Sequence, residues 1–184
     1  MSSNTRRIVV AGVMSAISMF LGWTHLGFIP WITGAALTPM HIPAILGSVL
    51  EGPVVGAVIG LIFGVFSLWQ AAVAPTGVID PAFTNPLVSV LPRLLIGPVA
   101  WLAYKALKDV NQIGALALAG LIGSVTNTAG VLGMGGLLHF WPWPAIGVVA
   151  VGNGVPEAIV AAIVTVAVVT AWKRIETGRK GSSI

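Results

Sequence analysis

Two ionisable residues lie inside long apolar stretches of this chain, where charge is expensive and marks either function or a mutual pair. Arg93 is in Leu-Pro-Arg-Leu-Leu-Ile-Gly-Pro and Glu157 is in Gly-Asn-Gly-Val-Pro-Glu. A guanidinium is a permanent cation with a planar fork of donors, suited to a carboxylate or another strongly polar group. Asn153 precedes Glu157 by four residues and shares its helical face, and Asn127 stands between Thr126 and Thr128 in another apolar run. Two readings follow. In one, Arg93 and Glu157 form a buried pair, with amides satisfying the rest, so that removing one partner strands the other. In the other, they line a polar cavity open to the outside, with Arg93 offered to an anionic or polar ligand. Pro92, Pro98 and Pro156 favour the cavity. Prolines free backbone carbonyls, which are tolerable in an apolar layer only where protein, water or ligand satisfies them.

Further polar residues cluster at the ends of the apolar runs. Thr38-Pro39-Met40-His41-Ile42-Pro43 opens one run, Gln70 stands beside Trp69 near the end of another, and Asn85 opens a third. Thr38, His41, Trp69, Gln70, Asn85, Arg93, Asn127, Asn153 and Glu157 are therefore the candidate binding residues. Metal binding is not expected, because His25 and His139 share no tight spacing with His41 and the chain has no cysteine. Neither G-x-S-x-G nor H-E-x-x-H occurs, and no two carboxylates share one depth. No catalytic residue and no cofactor are expected. The G-x-x-x-x-G-K-[ST] loop is missing too, so ATP hydrolysis is not expected within this chain.

The elements that must hold these residues are apolar throughout. Of 184 residues, nine are Lys or Arg and five are Asp or Glu, 8% in all, against about 25% in a globular domain. Hydrophobic residues make up 57% and the mean hydropathy is +0.99. Such a chain cannot cover a soluble surface, and it is too apolar to be disordered. It reads as an all-α integral membrane protein. Six segments approach the roughly 20 apolar residues that a span requires. They cover about 7–25, 38–51, 53–73, 86–107, 111–138 and 146–173. The second is short and carries Pro39 and Pro43, so it is expected to be broken or tilted. Together they make one six-helix domain over 1–184, with short tails at about 1–6 and 174–184. No cleavable signal is expected after Arg6 and Arg7.

With the N-terminus inside, eight of the nine cations fall in cytoplasmic segments: Arg6, Arg7, Lys105, Lys108, Lys173, Arg174, Arg179 and Lys180. The ninth is Arg93. The net charge of +4 thus encodes topology, with both termini cytoplasmic, and not nucleic-acid binding. The outer loops (about 25–38, 74–86 and 138–146) carry Trp31, Trp141 and Trp143 and six prolines. They are stiff and long enough to cap a cavity, and 74–86 reads as a lid. Glu51, at the inner end of the second segment, is read as solvated or as available to a cytoplasmic partner.

Small residues four apart let membrane helices approach closely. Gly56, Gly60 and Gly64 form such a stripe, read as internal packing; Gly120, Ser124 and Thr128 form another. On the first helix, Ala11-x-x-x-Ser15 and Gly12-x-x-x-Ala16 either pack inside the chain or dock a partner helix.

Thr38-Pro-Met-His-Ile-Pro-Ala-Ile-Leu-Gly, Glu51-Gly-Pro-Val-Val-Gly-Ala-Val-Ile-Gly-Leu-Ile-Phe-Gly, Asn85-Pro-Leu-Val-Ser-Val-Leu-Pro-Arg-Leu-Leu-Ile-Gly, Thr126-Asn-Thr and Asn153-Gly-Val-Pro-Glu-Ala-Ile-Val-Ala occur in this order. In this the chain resembles the substrate-binding S components of energy-coupling factor (ECF) vitamin transporters, over nearly its whole length. The resemblance implies a six-helix protein of the prokaryotic cell membrane that captures a vitamin from outside. It also implies partners: a membrane coupling subunit and two cytoplasmic ATPases. The S component is implied to topple in the membrane with its cargo. It is implied to dock through A-x-x-x-A on the first helix, for which Ala11, Gly12, Ser15 and Ala16 are the candidates here.

Within the family, Met-His-Ile-Pro and Asn-Pro-Leu…Pro-Arg look most like the pantothenate branch. The carboxylate of pantothenate suits Arg93, and its hydroxyls and amide suit Asn127, Asn153 and Gln70. Riboflavin would need a flat aromatic slot, for which the Trp residues could serve. Folate, cobalamin, pyridoxine and queuosine precursors stay open. Outside the family, a small membrane enzyme would need acid–base chemistry at Glu157 and His41, and a homo-oligomeric channel would use the Gly56/Gly60/Gly64 face.

Overall fold

The structure, a computed structural model, describes residues 3–24, 26–27, 29, 36–75 and 80–181, with side chains through 174. His25, Pro30, Trp31, residues 76–79 of the lid, and the side chains of Arg179 and Lys180 therefore lie outside the described residues.

Helix formation follows the apolar runs, and local residues set where each run stops. Helix α1 covers Ser3–Trp23. A 3-10 turn over Pro39–His41 leads into α2, Ile42–Glu51. Gly52 then turns the chain at a φ of 100°, a left-handed value that glycine reaches without strain. Pro53 starts α3, which runs to Val73, and proline suits the first turn because its missing N–H would have no helical partner. A second 3-10 turn, Asp80–Thr84, precedes the short α4, Pro86–Ser89. Helix α5 spans Leu91–Leu107 and α6 spans Gln112–Leu137. The Asn111 side chain caps α6 by accepting from the Gly114 N–H at 2.9 Å. Helix α7 covers Trp143–Gly152 and α8 covers Gly154–Gly181.

Five helical stretches are long and apolar enough to cross a membrane: Ser3–Trp23, Pro53–Val73, Pro86–Leu107, Gln112–Leu137 and Trp143–Arg174. The expected second segment differs from these. It forms only the 3-10 turn and the ten-residue α2, in which every residue from Ile42 to Ser48 is buried. A helix of that length suits an interior position, where neighbouring helices and not lipid surround its ends. The fourth and sixth runs are each divided, at Val90 and at Asn153, just ahead of Pro92 and Pro156.

Helix α2 sits at the centre. Its Ile45, with Ile59 of α3, Ile96 of α5, Leu116 of α6 and Val169 of α8, forms the dry core. Outward faces are equally apolar: Val54, Val65, Leu102, Leu95 and Ile163 are exposed. A helix apolar all round is one embedded in lipid. Packing then depends on close approach, and the glycines supply it. Gly56, Gly60 and Gly64 lie on the backbone of α5, at Gly97, Arg93 and Ser89–Val90 respectively. Gly120 lies in the same way on Ala161 and Ala162 of α8. The stripe on α3 is therefore internal packing, as its spacing predicts. Gly60→Leu is expected to destabilise the protein by about 1–3 kcal/mol, because the added side chain must displace the Arg93 carbonyl. Thermal unfolding in detergent checks this, and a melting temperature equal to the parent's would refute it.

Glu51 differs from its expected solvated state. Its side chain is 8% exposed and pairs with Arg6 at 2.5 Å, tying the start of α1 to the end of α2. Two contacts clasp α1 elsewhere. Ser18 Oγ donates to the Met40 carbonyl at 3.0 Å, and Gln70 Nε2 donates to the Gly22 carbonyl at 3.2 Å.

Candidate binding site

Five elements deliver polar groups to one buried region: the 36–41 segment, α5, α6, α8 and the 3-10 turn at Asp80–Thr84. Arg93 enters from the first turn of α5 and is 5% exposed. Pro92 has no N–H, so the Val88 carbonyl four residues earlier loses its helical donor. Arg93 Nη1 donates to that carbonyl at 2.5 Å. The guanidinium lies between two rings, Phe63 of α3 at 5.4 Å and Phe83 of the second 3-10 turn at 5.0 Å. Cation–π attraction in a desolvated place contributes about 2 kcal/mol. Arg93 Nε, also buried, has no protein partner among the described residues.

Glu157 is held differently. Its Oε1 accepts from the Thr38 backbone N–H at 2.6 Å and from Thr38 Oγ1 at 3.1 Å, and its Oε2 accepts from Thr128 Oγ1 at 3.4 Å. One turn earlier, Asn153 Nδ2 donates to the Ala36 carbonyl at 3.2 Å. The shared face of Asn153 and Glu157 thus clamps residues 36–38 onto α8. Arg93 and Glu157 make no direct ion pair among the described residues, although each lies within the other's electrostatic reach. The paired reading of the two charges gives way to separate anchors. A carboxylate accepting several hydrogen bonds holds each with about 1.5–3 kcal/mol. Glu157→Ala is accordingly expected to free the 36–38 segment, read as faster amide hydrogen exchange at Leu37 and Thr38. Exchange at the parent's rate would show that Asn153 and the backbone pairing of Leu37 with Ile29 hold the segment without Glu157.

His41 is buried in the 3-10 turn that follows. Its Nδ1 lies 2.7 Å from the Thr38 carbonyl, which only accepts, so Nδ1 carries the hydrogen. Nε2 is then an acceptor, and it has no protein partner among the described residues. Asn127, 5% exposed on α6, leaves Oδ1 in the same condition. Buried polar atoms in native proteins are nearly always satisfied, so groups of this kind point to a polar partner. On α5, the 3-10 turn and α6 they comprise a cationic donor and two acceptors, a pattern complementary to an anion that also carries hydroxyls.

The remaining expected residues serve elsewhere. Trp69 stacks on Trp23 at 6.0 Å and Gln70 bonds to Gly22, so both join α3 to α1. Asn85 caps α4 by accepting from the Leu87 N–H at 2.9 Å. On α1 the two small-residue pairs separate: Ala11 and Ser15 turn inward, while Gly12 and Ala16 are exposed. Three contributors escape a reading of polar residues alone: Phe63, Phe83 and the Val88 carbonyl. Only the last has a signal in the sequence, a proline four positions on. Phe83 is itself backed by Trp141 at 6.0 Å, and its carbonyl accepts from Ser89 Oγ. The connection before α4 and the one between α6 and α7 therefore meet at Phe83, beside the guanidinium.

A lipid-embedded helical bundle with a buried, polar, partly unpartnered interior defines a multi-pass membrane protein that binds a small polar solute. More particularly, the chain belongs to the family of ECF transporter substrate-specific components, whose family model matches residues 6–169. It is 30% identical over 152 residues to the pantothenic acid transporter PanT of Lactococcus lactis subsp. cremoris (strain MG1363), covering 73% of this chain and 76% of that one. It is 32% identical over 143 residues to the pantothenate transporter PanT of Leuconostoc mesenteroides subsp. mesenteroides, covering 72% and 69%. The protein is thus the substrate-specific component of a transporter and not an enzyme. Its family works with a membrane and ATPase energy-coupling module.

Proposed function

We propose that this chain captures pantothenate from outside the cell membrane and delivers it inward with its coupling module. The observation that carries this reading is the set of buried, unpartnered atoms on Arg93, His41 and Asn127. Arg93 receives the carboxylate, and His41 Nε2 and Asn127 Oδ1 accept from the hydroxyls. Thr38, Asn153 and Glu157 shape the wall. Gln70, Trp69 and Asn85 hold the outer rim by the contacts described. Both similar transporters carry pantothenate in their names, which supports the same choice.

The same reading gives one six-span domain with both termini in the cytoplasm, α2 being the short central span. Arg6, Lys105, Lys108 and Lys173 support this orientation. Arg6 lies near the start of α1, Lys105 and Lys108 at the end of α5, and Lys173 Nζ reaches Tyr104 of α5 at 3.3 Å, whereas Arg93 and Glu157 lie near the starts of α5 and α8. The partners are a membrane coupling subunit, met by the exposed Gly12-x-x-x-Ala16 stripe, and two cytoplasmic ATPases.

Mass spectrometry of the small molecule retained by the purified protein tests the substrate. Calorimetric titration with pantothenate, riboflavin and folate follows. Saturable 1:1 pantothenate binding is expected, and a riboflavin-only response would overturn the assignment.

A further inference from the structure

A second feature lies on the lipid-facing side, away from the polar region. Pro53, Val54, Ala57, Val58 and Leu61 of α3 and Leu94 and Pro98 of α5 line an apolar surface groove of about 260 Å³. Close packing of the two helices produces it. Gly56 against Gly97 and Gly60 against Arg93 bring the backbones together, and the side chains on either flank rise above that seam. Pro98 deepens it, having a compact ring where a longer side chain would fill the gap.

The groove has a charged end. Leu94, Pro98, Trp101 and Lys105 follow one another at spacings of four, three and four and so share one face of α5. The two helices run antiparallel with Gly56 level with Gly97, so Lys105 stands beyond the first turn of α3. Its Nζ lies 5.0 Å over the ring of Trp101, one turn nearer Pro98. No carboxylate pairs with Lys105 among the described residues: Asp109, one turn on, makes no ion pair, and Glu51 is taken by Arg6. Lys108 continues the stripe. An apolar groove with an indole one turn and an ammonium two turns past Pro98 on the same helix face matches an acyl chain that ends at an interfacial phosphate.

We propose that this groove binds one anionic glycerophospholipid, with an acyl chain between α3 and α5 and the phosphate on Lys105. The groove's lining includes none of the candidate vitamin-site residues, although Leu94 follows Arg93 in the chain.

The test uses the full chain in nanodiscs of phosphatidylglycerol mixed equally with phosphatidylcholine, then native mass spectrometry of the lipid retained on release. One phosphatidylglycerol per chain is expected to dominate. Lys105→Gln is expected to lower its retention about fivefold relative to phosphatidylcholine, the effect of one interfacial lysine. Arg7→Gln, which removes an exposed cation on α1, is expected to leave it unchanged. Val58→Trp, which fills the groove, is expected to reduce retention of both lipids. Equal retention of the two lipids by the unmodified protein would overturn the proposal without recourse to any variant. So would a drop in Arg7→Gln equal to that in Lys105→Gln, which would mean general surface charge. Unchanged retention in Val58→Trp would overturn it as well, leaving the groove to an apolar helix of another subunit.

Discussion

Arg93→Ala is expected to weaken pantothenate binding by about 2–5 kcal/mol, or roughly 30-fold to several thousandfold. The guanidinium is the cation in the buried polar region, and its Nε has no protein partner among the described residues. Its other contacts make the variant informative. Nη1 satisfies the Val88 carbonyl, and the rings of Phe63 and Phe83 flank the charge. A purely structural Arg93 would therefore lower the melting temperature of the ligand-free protein and leave the affinity of the surviving folded fraction near the parent value. A ligand-binding Arg93 produces the reverse: a modest change in melting temperature without ligand and loss of the stabilisation that pantothenate confers. Arg93→Lys separates the two further. An ammonium keeps the charge but not the planar fork, so part of the binding returns while the bond to Val88 weakens. Calorimetry together with ligand-dependent thermal shifts reads both quantities. Unchanged affinity in Arg93→Ala would remove Arg93 from the site.

Gly12→Trp is the second large effect. The position is open: a side chain added there meets no atom of the described residues within 4 Å. The bundle should accept the indole, and vitamin binding should stay within about twofold of the parent. Uptake in cells or proteoliposomes with the complete transporter should instead fall by about 30-fold, as the loss of about 2 kcal/mol at an interface centre produces. Ala11→Trp provides the contrast. Ala11 packs against the core formed with Val10 and Met14, so its enlargement is expected to lower stability by about 1–3 kcal/mol and reduce binding and transport together. If Gly12→Trp transports normally, the exposed stripe is not the docking face.

Much of the architecture was legible without coordinates because lipid makes simple demands. Twenty apolar residues in a row, bounded by glycine, proline or a capping asparagine, have few alternatives to a spanning helix. The spacing of Gly56, Gly60 and Gly64 alone predicts internal packing, and they lie against α5. Pro39 and Pro43 mark the short second segment as unusual. Its burial at the centre of the bundle was not visible, since apolar composition is the same whether a helix faces lipid or protein.

The candidate site was legible in part, for a related reason. A charge in an apolar run stands out, so Arg93 and Glu157 were found by type and depth. Their partners were not, because hydrogen bonds between residues 119 positions apart, such as Thr38 to Glu157, leave no local periodicity. Trp69, Gln70 and Asn85 carry suitable chemistry at the right ends of their helices. Their side chains nevertheless turn to Trp23, Gly22 and Leu87, because helix rotation about its own axis is set by packing.

The sequence by itself determined that this protein lives in a membrane, which runs of chain form helices, and which few charges lie inside the apolar layer. These properties follow from composition and from backbone hydrogen bonding within a segment. Only the tertiary structure decided that Arg93 rests between two rings and not on Glu157, that Glu157 clamps the chain at Thr38, and that Gly12 faces outward while Ala11 faces in. Those outcomes depend on how far apart in the chain the packed surfaces lie and how each helix is rotated, and neither quantity is written in any single segment.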